Sequence, residues 1–368
     1  MVERQVDIDG VLYRIDLNNP VERYINPILT ANHINKVWTS PALQVKTVHN
    51  AGVTKFNQQT VMLFRSHLRN GISVIGLAKS NDGLTHWMID PQPAMGPASE
   101  EDVFAEGTNR EALIENESGG VEDPRITKID DTYLITYSAY HASIKNRVRV
   151  SLASTKDFVE FKRHGPVLDT DMRNVAIFPE KVNDKYVGLF RPNDTTEGDV
   201  GGVFAEIKIG YSDTWYGPWQ IDDKPLMRTG GGPSAFQDKI GPGAPPLKTK
   251  HGWIDIFHGV RSTMDGNPYT LGVALHDLDD PSRVQVSNIP ILFPSKADCR
   301  VNDTDYVHVP NVVFTCAAVR NDDGTIYLYY GGNDTVMNVG ITHEDVLAEL
   351  CTKYGQDPLQ GTPLYDII

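Results

Sequence analysis

The chain has 368 residues, 40% of them hydrophobic and 22% charged, which excludes intrinsic disorder and allows two domains or one large repeat domain. Lys and Arg total 34 against 48 Asp and Glu, a net charge of -14. Neither nucleic acid nor an anionic membrane is therefore expected as the main partner, since each needs a basic face, although a local anion site remains compatible with the balance. The three cysteines, Cys299, Cys316 and Cys351, have no CxxC spacing, which argues against a disulfide framework or structural zinc and for a reducing compartment. The opening MVERQVDIDG lacks an apolar signal-peptide core, and no run approaches the ~18 apolar residues of a membrane span. A soluble, cytoplasmic protein is expected.

Five segments repeat one pattern in chain order: an apolar strand, a polar turn, and a second strand ending in an aromatic. They are TKFNQQTVMLFRS (54–66), TKIDDTYLITYSA (127–139), EKVNDKYVGLFRP (180–192), LKTKHGWIDIFHG (247–259) and VRNDDGTIYLYYGG (319–332). Each reads as a β-hairpin, because β-branched and aromatic runs flank Asn, Asp or Gly. A third strand follows at IGLAKSNDGLTHW (75–87), VSLASTKDFVEF (150–161), IKIGYSDTWYGPW (207–219), more loosely at LGVALHDLDDPSRV (271–284), and in degenerate form at NVGITHEDVLAEL (338–350). The turns, near Asn57, Asp130, Asn183, Lys250 and Asp323, are 73, 53, 67 and 73 residues apart, which suits four-stranded propeller blades. The predicted fold is all-β, a single five-bladed β-propeller over 1–368 with a short C-terminal helix. A β-sandwich would not repeat the hairpin, the aromatic and the S-x-D turn together. The helix is expected at HEDVLAELC, with Thr342 as its N-cap, packed against the propeller.

Alignment of the second hairpin strands puts Phe64, Tyr137, Phe190, Phe257 and Tyr330 at one position, and Arg65, Ser138, Arg191, His258 and Gly331 at the next. In a propeller such positions converge on one funnel, and three potential cations at the end of inner strands suggest an anion site. Arg69 and Arg163, by contrast, read as surface residues paired with nearby carboxylates. The first strands are preceded by polar residues among glycine and proline: HNAG (49–52), VEDPR (121–125), IFPEK (177–181), GAPP (243–246) and VPN (309–311). Pro124 is expected to hold Asp123 extended, so that Glu122 and Asp123 point to opposite sides and one alone faces the funnel. An aspartate there suits a structural ion pair or a catalytic acid, and spacing leaves both open.

With NPILT (26–30), HNAGVTKF (49–56), GGVEDPRIT (119–127), RNVAIFPEKVNDKYVGLFRP (173–192), KIGPGAPPLKTKHGWIDIFHGV (239–260), LHDLDDPSRV (275–284), VPNVVF (309–314) and YYGGND (329–334), the chain resembles glycoside hydrolase family 130, the β-mannoside phosphorylases. The resemblance spans residues 26–334 in the family's order. It implies a five-bladed propeller enzyme in which Asp123 is the general acid, protonating the leaving oxygen through the mannosyl 3-hydroxyl. Phosphate would be bound by Arg173, Asn174, Arg191, Lys239, His258 and Tyr269, and mannose by Asn50, Arg65 and Asp334. The implied partners are a β-mannoside and inorganic phosphate as co-substrate. Neither a cofactor nor a metal is expected: DLDDP and NDTD read as turns, and no GxGxxG or Walker pattern is present.

This cation set suits phosphate, whose oxygens favour guanidinium forks, and an anionic nucleophile needs no base. An inverting hydrolase needs a second carboxylate, roughly 6.5–9.5 Å from the acid. Phosphorolysis giving α-mannose 1-phosphate is therefore preferred to an inverting β-mannosidase of the same fold or a non-catalytic sugar-binding propeller. Among substrates β-1,2-mannobiose is favoured and β-1,4-mannosides come next. The long connection from Ile89 to Gly119 is expected to cover the acceptor subsite or join a homo-oligomer contact. Tyr140, Trp215 and Tyr306 are candidates to stack on the acceptor, and His141 and His164 read as surface or packing residues.

Overall fold

The computed structural model describes residues 2–145, 147–192, 205–229, 234–264, 266–298 and 307–359; Tyr306, Cys299 and the NDTD stretch lie outside them. Polar turn residues that accept left-handed backbone make the hairpins: Asn57 and Gln58 lie at φ 46° and 64°, Asn183 and Asp184 at 50° and 63°, and Asp130 at 52°. An N-terminal hairpin, β1 (Glu3–Ile8) and β2 (Val11–Asp16), precedes the short β3 (Glu22–Arg23) and helix α1 (Ala31–Val37). Five antiparallel meanders then follow.

The first is β4 (His49–Phe56), β5 (Gln59–His67), β6 (Ser73–Ser80) and β7 (Met88–Ile89); β8 (Val103–Phe104) and helix α2 (Arg110–Glu117) come after it. The second is β9 (Gly120–Ile129), β10 (Thr132–Tyr140), β11 (Val148–Thr155) and β12 (Lys162–Pro166). The third is β13 (Met172–Ile177), β14 (Tyr186–Pro192) and β15 (Glu206–Ser212), whose outer side pairs with β16 (Gln220–Ile221) and β17 (Met227–Arg228). The fourth sets β18 (Lys239–Pro242) and β19 (Leu247–Thr249) beside β20 (Gly252–Val260), followed by β21 (Tyr269–His276) and β22 (Val284–Ser287). The fifth is β23 (Val313–Arg320), β24 (Thr325–Gly332) and β25 (Val336–His343), with β3 as its fourth strand. Helix α3 (Glu344–Lys353) and β26 (Gly355–Gln356), which pairs with β22, end the described chain.

All five expected hairpins and third strands are present, and the described residues are mostly β. The first two meanders share one nine-stranded sheet through a single parallel bridge, Ser73 to Gly120. The first strands lie beside one another: β4 touches β9 on one side and β23, from the last meander, on the other. The aromatic row is buried throughout, at no more than 1% exposure from Phe64 to Tyr330. Small partners make room for it. Phe64 faces Gly76 and Phe257 faces Gly272, where an added Cβ would stand 2.2 Å and 2.4 Å from the ring. Such rings bridge neighbouring meanders, as when Leu63 and Ile75 of the first join Ile126 and Tyr137 of the second in one apolar cluster.

Several expectations need correction. The N-cap of α3 is His343, the last residue of β25, whose ring accepts from the Asp345 amide at 3.1 Å, while Thr342 lies one residue earlier in β25 and donates its hydroxyl to Pro20 O at 2.6 Å. Helices α1 and α2 carry weak apolar periodicity and were not expected. Arg163 is not a surface residue: it is 2% exposed and ion-paired to Glu117, itself fully buried and bonded to Tyr137 Oη at 2.8 Å. The 89–119 connection holds Asp102 near this pair, and β8 adds in parallel to the outer edge of β12. It braces the second meander, and none of its residues lines the cavity described next.

Candidate active site

The first strands carry extra residues where they approach the centre. In β9, Glu122 pairs with Ser138 and Arg125 with Thr136, so Asp123 and Pro124 together face Tyr137 alone. In β4, Asn50 and Ala51 face Phe64, and in β13 Arg173 is the extra residue between the Met172 and Asn174 pairings. These are β-bulges, which break the two-residue alternation and re-aim side chains. Asp123 consequently sits at φ 51° and Asn50 at 49°, in the left-handed region. The expectation of an extended Asp123 with Glu122 on the far side is therefore overturned: both carboxylates face the same cavity.

That cavity has a volume of about 490 Å³ and brings together all ten residues expected from sequence, from Asn50 to Asp334. It divides into two halves. In the acidic half Arg65 lies 2.6 Å from Glu122 Oε1 and 2.9 Å from Asp123 Oδ1, and Asn50 Nδ2 donates to the same Asp123 oxygen at 2.9 Å. Arg65 is itself oriented by His67, whose Nε2 lies 2.9 Å from Arg65 Nη2. Burial, with Arg65 beside it, pushes His67 down to about 3, so the ring is neutral and accepts. Asp334, on a left-handed turn after β24, completes the half. Burial raises Asp334 to about 6, with Arg65 opposing and Asp123 and Glu122 reinforcing the rise. Glu122 is also raised by burial, against the pull of Arg65. Asp123 goes the other way: burial disfavours its charge, but Arg65 and Asn50 together hold it below the usual carboxylate range.

The basic half holds Arg173, Arg191 and Lys239, with Asn174, Tyr269 and His258. Asn174 Oδ1 accepts from Arg191 Nη1 at 3.2 Å, and Arg173 Nη1 donates to Tyr140 Oη at 2.8 Å. Lys239 is lowered by burial and by Arg191 and Arg173, a sign of crowded positive charge. His258 is fully buried, stacked on Tyr269 and tilted against Phe314 at 4.5 Å. Burial and the nearby Arg191, Arg125 and Lys239 hold it well below its ordinary value, so it is a neutral imidazole and not one of the expected cations. The row of three cations thus resolves into Arg65, committed to carboxylates, Arg191 in the basic half, and a neutral ring.

Arg125 of the EDPR stretch is 1% exposed and donates to Gly243 O, Pro242 O and Asp123 O at 2.6, 3.1 and 3.0 Å. It ties the Asp123 bulge to the β18–β19 segment. Sequence reasoning missed Glu122, Asp238 and Phe314 as lining residues and gave Tyr140 a stacking role. Tyr140 instead lies under the Arg173 guanidinium, 5.7 Å from its ring centroid. Its position two residues after Ser138 on β10 was the available signal, since alternate residues share a face. Trp215 packs on His164 at 5.0 Å and does not line the cavity, and His141 pairs with Glu115 at 3.0 Å.

The described residues are mostly β, and one cavity among them sets a group of carboxylates against a cluster of cations. The chain belongs to glycoside hydrolase family 130: the family model described as beta-1,4-mannooligosaccharide phosphorylase matches residues 13–353. It is 36% identical over 275 residues to a 1,2-beta-oligomannan phosphorylase of Thermoanaerobacter sp. (strain X514), covering 73% of this chain and 78% of that one. It is 28% identical over 375 residues to a 4-O-beta-D-mannosyl-D-glucose phosphorylase of Bacteroides fragilis, covering 95% and 90%. Among solved structures, the beta-1,2-mannobiose phosphorylase from Listeria innocua in complex with beta-1,2-mannobiose superposes with a TM-score of 0.71 at 25% identity, over 90% of this chain and 99% of that one.

Proposed function

We propose that the protein is an inverting β-mannoside phosphorylase, a hexosyl-transferring enzyme that cleaves a short β-manno-oligosaccharide with inorganic phosphate to give α-D-mannose 1-phosphate. The observation that carries this reading is the division of one cavity into a carboxylate half and a half containing Arg173, Arg191 and Lys239. A dianion needs several charge-assisted donors in a water-poor site, and this half supplies them within a molecule of net charge -14.

The mannosyl unit sits against Asn50, Arg65 and Asp334. Phosphate, held by Arg173, Asn174, Arg191 and Lys239, with His258 and Tyr269 as neutral wall, attacks the anomeric carbon from the α face. The bond from that carbon to the departing oxygen breaks, and Asp123 supplies its proton through the mannosyl 3-hydroxyl. Burial raises both Glu122 and Asp334 while Asp123 is held low, so a proton taken up by this group of carboxylates sits first on Glu122 or Asp334. In the free site Asp123 is the ionised member. Entry of a phosphate dianion and exclusion of water by the sugar both favour moving the proton onto Asp123. Glu122 does not serve as the base of a hydrolase in this reading, because Oε1 is taken by Arg65 at 2.6 Å and Ser73 Oγ at 2.8 Å.

We read the five meanders as five propeller blades. The succession of their first strands, with β23 meeting β4, supports this, as does β3 closing the fifth meander from the N-terminal side. β-1,2-Mannobiose is the favoured substrate, since the relatives named for β-1,2 linkages are 33 to 36% identical and those named for β-1,4 linkages or mannosyl-glucose 28 to 29%. The buried free thiols of Cys316 and Cys351 suit a cytoplasmic setting, and a homo-oligomer is compatible with the fold. Arg191→Ala tests the reading: removal of a phosphate-binding guanidinium should raise the phosphate KM by about 10- to 100-fold. An unchanged KM removes Arg191 from the site and the basic half from the mechanism.

A further inference from the structure

Arg125 carries a buried charge that belongs to neither half of the cavity. Its hydrogen bonds go to main-chain carbonyls: Nε to Gly243 O at 2.6 Å, Nη2 to Pro242 O at 3.1 Å and Nη1 to Asp123 O at 3.0 Å. Each of these carbonyls lies where a ladder breaks. β9 is interrupted at the bulge between Glu122 and Arg125. The pairing along β20 passes from β18, at Pro242 with Phe257, to β19, at Leu247 with Ile254. Carbonyls at such breaks need donors from outside the ladder, and one planar guanidinium fork supplies both.

The two breaks carry opposite sides of the site. The first sets Asp123 at φ 51°. The second ends the strand that begins with Lys239, and that strand is packed without slack. A Cβ on Gly241 would stand 2.7 Å from His258 Cε1 and 2.8 Å from Arg191 Cδ, and one on Gly243 would stand 2.2 Å from Ile256 O. A displacement of β18 is thus felt at Lys239, His258 and Arg191 together. The Arg125 guanidinium also lies over Phe314, 5.9 Å from the ring centroid, and Phe314 packs on His258 at 4.5 Å.

We infer that Arg125 is a positioning residue that sets the spacing between the acid Asp123 and the phosphate-side strand β18. This rests on the phosphorylase reading above. Displacement at the anomeric carbon needs the proton donor and the nucleophile held on either side of one atom, and an error of about 1 Å costs on the order of 100-fold in rate. Lysine cannot replace the fork, because a point ammonium lacks the planar geometry that bridges two breaks at once.

Arg125→Lys keeps the charge and loses the fork. In steady-state assays with β-1,2-mannobiose and phosphate, its kcat per folded molecule should fall by about 100-fold. Its KM for the sugar should stay within about threefold of wild type, because Asn50, Arg65 and Asp334 stand on other meanders. A role confined to stability would lower the melting temperature and leave kcat per folded molecule near wild type, which overturns the inference. Arg125→Ala leaves room for a free guanidinium ion, which at non-denaturing concentration should restore kcat by about 10-fold where ammonium does not; equal effects of the two ions overturn it. Should neither variant fold, hydrogen exchange of the wild type with and without inorganic phosphate serves in their place. Added protection that extends from 239–243 to the 120–125 bulge supports the inference, and unchanged exchange at the bulge overturns it. The exchange measurement needs no turnover, so a wild type that releases mannose without phosphate would sink the phosphorylase reading and leave this result readable.

Discussion

Gly331 occupies the row position held by Arg65, Ser138, Arg191 and His258 in the other meanders, and it is there because Asn50 needs the space. A Cβ on Gly331 would stand 2.3 Å from Asn50 Oδ1 and 3.1 Å from both Asn50 N and His49 Cβ. Asn50 must then retreat by about an ångström, a shift its bulged backbone cannot absorb alone. The Asn50 Nδ2 to Asp123 Oδ1 bond at 2.9 Å is the contact at risk. A hydrogen bond to a charged acceptor is worth about 1.5–3 kcal/mol, and a misplacement of this size near the reacting groups costs ~100-fold in rate. Gly331→Ala should therefore lower kcat/KM for β-1,2-mannobiose by about 10- to 100-fold. The overpacking itself should cost about 1–3 kcal/mol of stability in denaturant titration. A variant with kcat/KM within twofold of wild type would refute the claim that Asn50 is held against Asp123 by this close fit.

Two other changes separate the scaffold from the site. Arg163→Met leaves Glu117 buried without its partner and should cost about 3–5 kcal/mol in equilibrium unfolding, while Arg163→Met with Glu117→Leu should recover most of it. Phosphate KM should be unaffected in the double variant, and a large change there would contradict the assignment of this pair to bracing. Asp334, with a folded value of about 6 against 3.8 unfolded, is protonated in both states at low pH and adds no penalty there. As pH rises from about 4 to 6 the unfolded chain ionises at this position while the folded one keeps its proton, so stability falls over that window, by up to ~3 kcal/mol above pH 6. Asp334→Asn should thus gain stability relative to wild type between pH 4 and 7, at the expense of sugar binding. A pH-independent difference would show that Asp334 is not desolvated.

The repeats were legible because strand-turn-strand units alternate hydrophobic and polar residues around turn-forming Asn and Asp, and the aromatic row marks their register. The ten site positions were legible through the motifs that carry them. What escaped was whatever depends on backbone departures from regularity. Glu122 and Asp123 share a face only because a bulge turns Asp123 to φ 51°, and no alternation rule anticipates that. His258 looked like a cation because burial is invisible in a residue type, yet its ring lies at 0% exposure among three positive charges. Arg163 looked superficial for the same reason, although it neutralises a buried glutamate, and nothing in the sequence marked Arg125 as the residue that locks the Asp123 bulge to the fourth meander. The cap of α3 slipped by one residue because the β25 ladder runs through Thr342 to His343, which pairs with Thr325, so the chain leaves the strand one residue later than expected.

The most direct test of the central claim is phosphorus NMR of the wild-type protein incubated with β-1,2-mannobiose and inorganic phosphate, alongside a sample without phosphate. Phosphorolysis with inversion is expected to give the α anomer of mannose 1-phosphate in the first sample and no cleavage above background in the second. Free mannose as the sole product, formed equally well without phosphate, would contradict it.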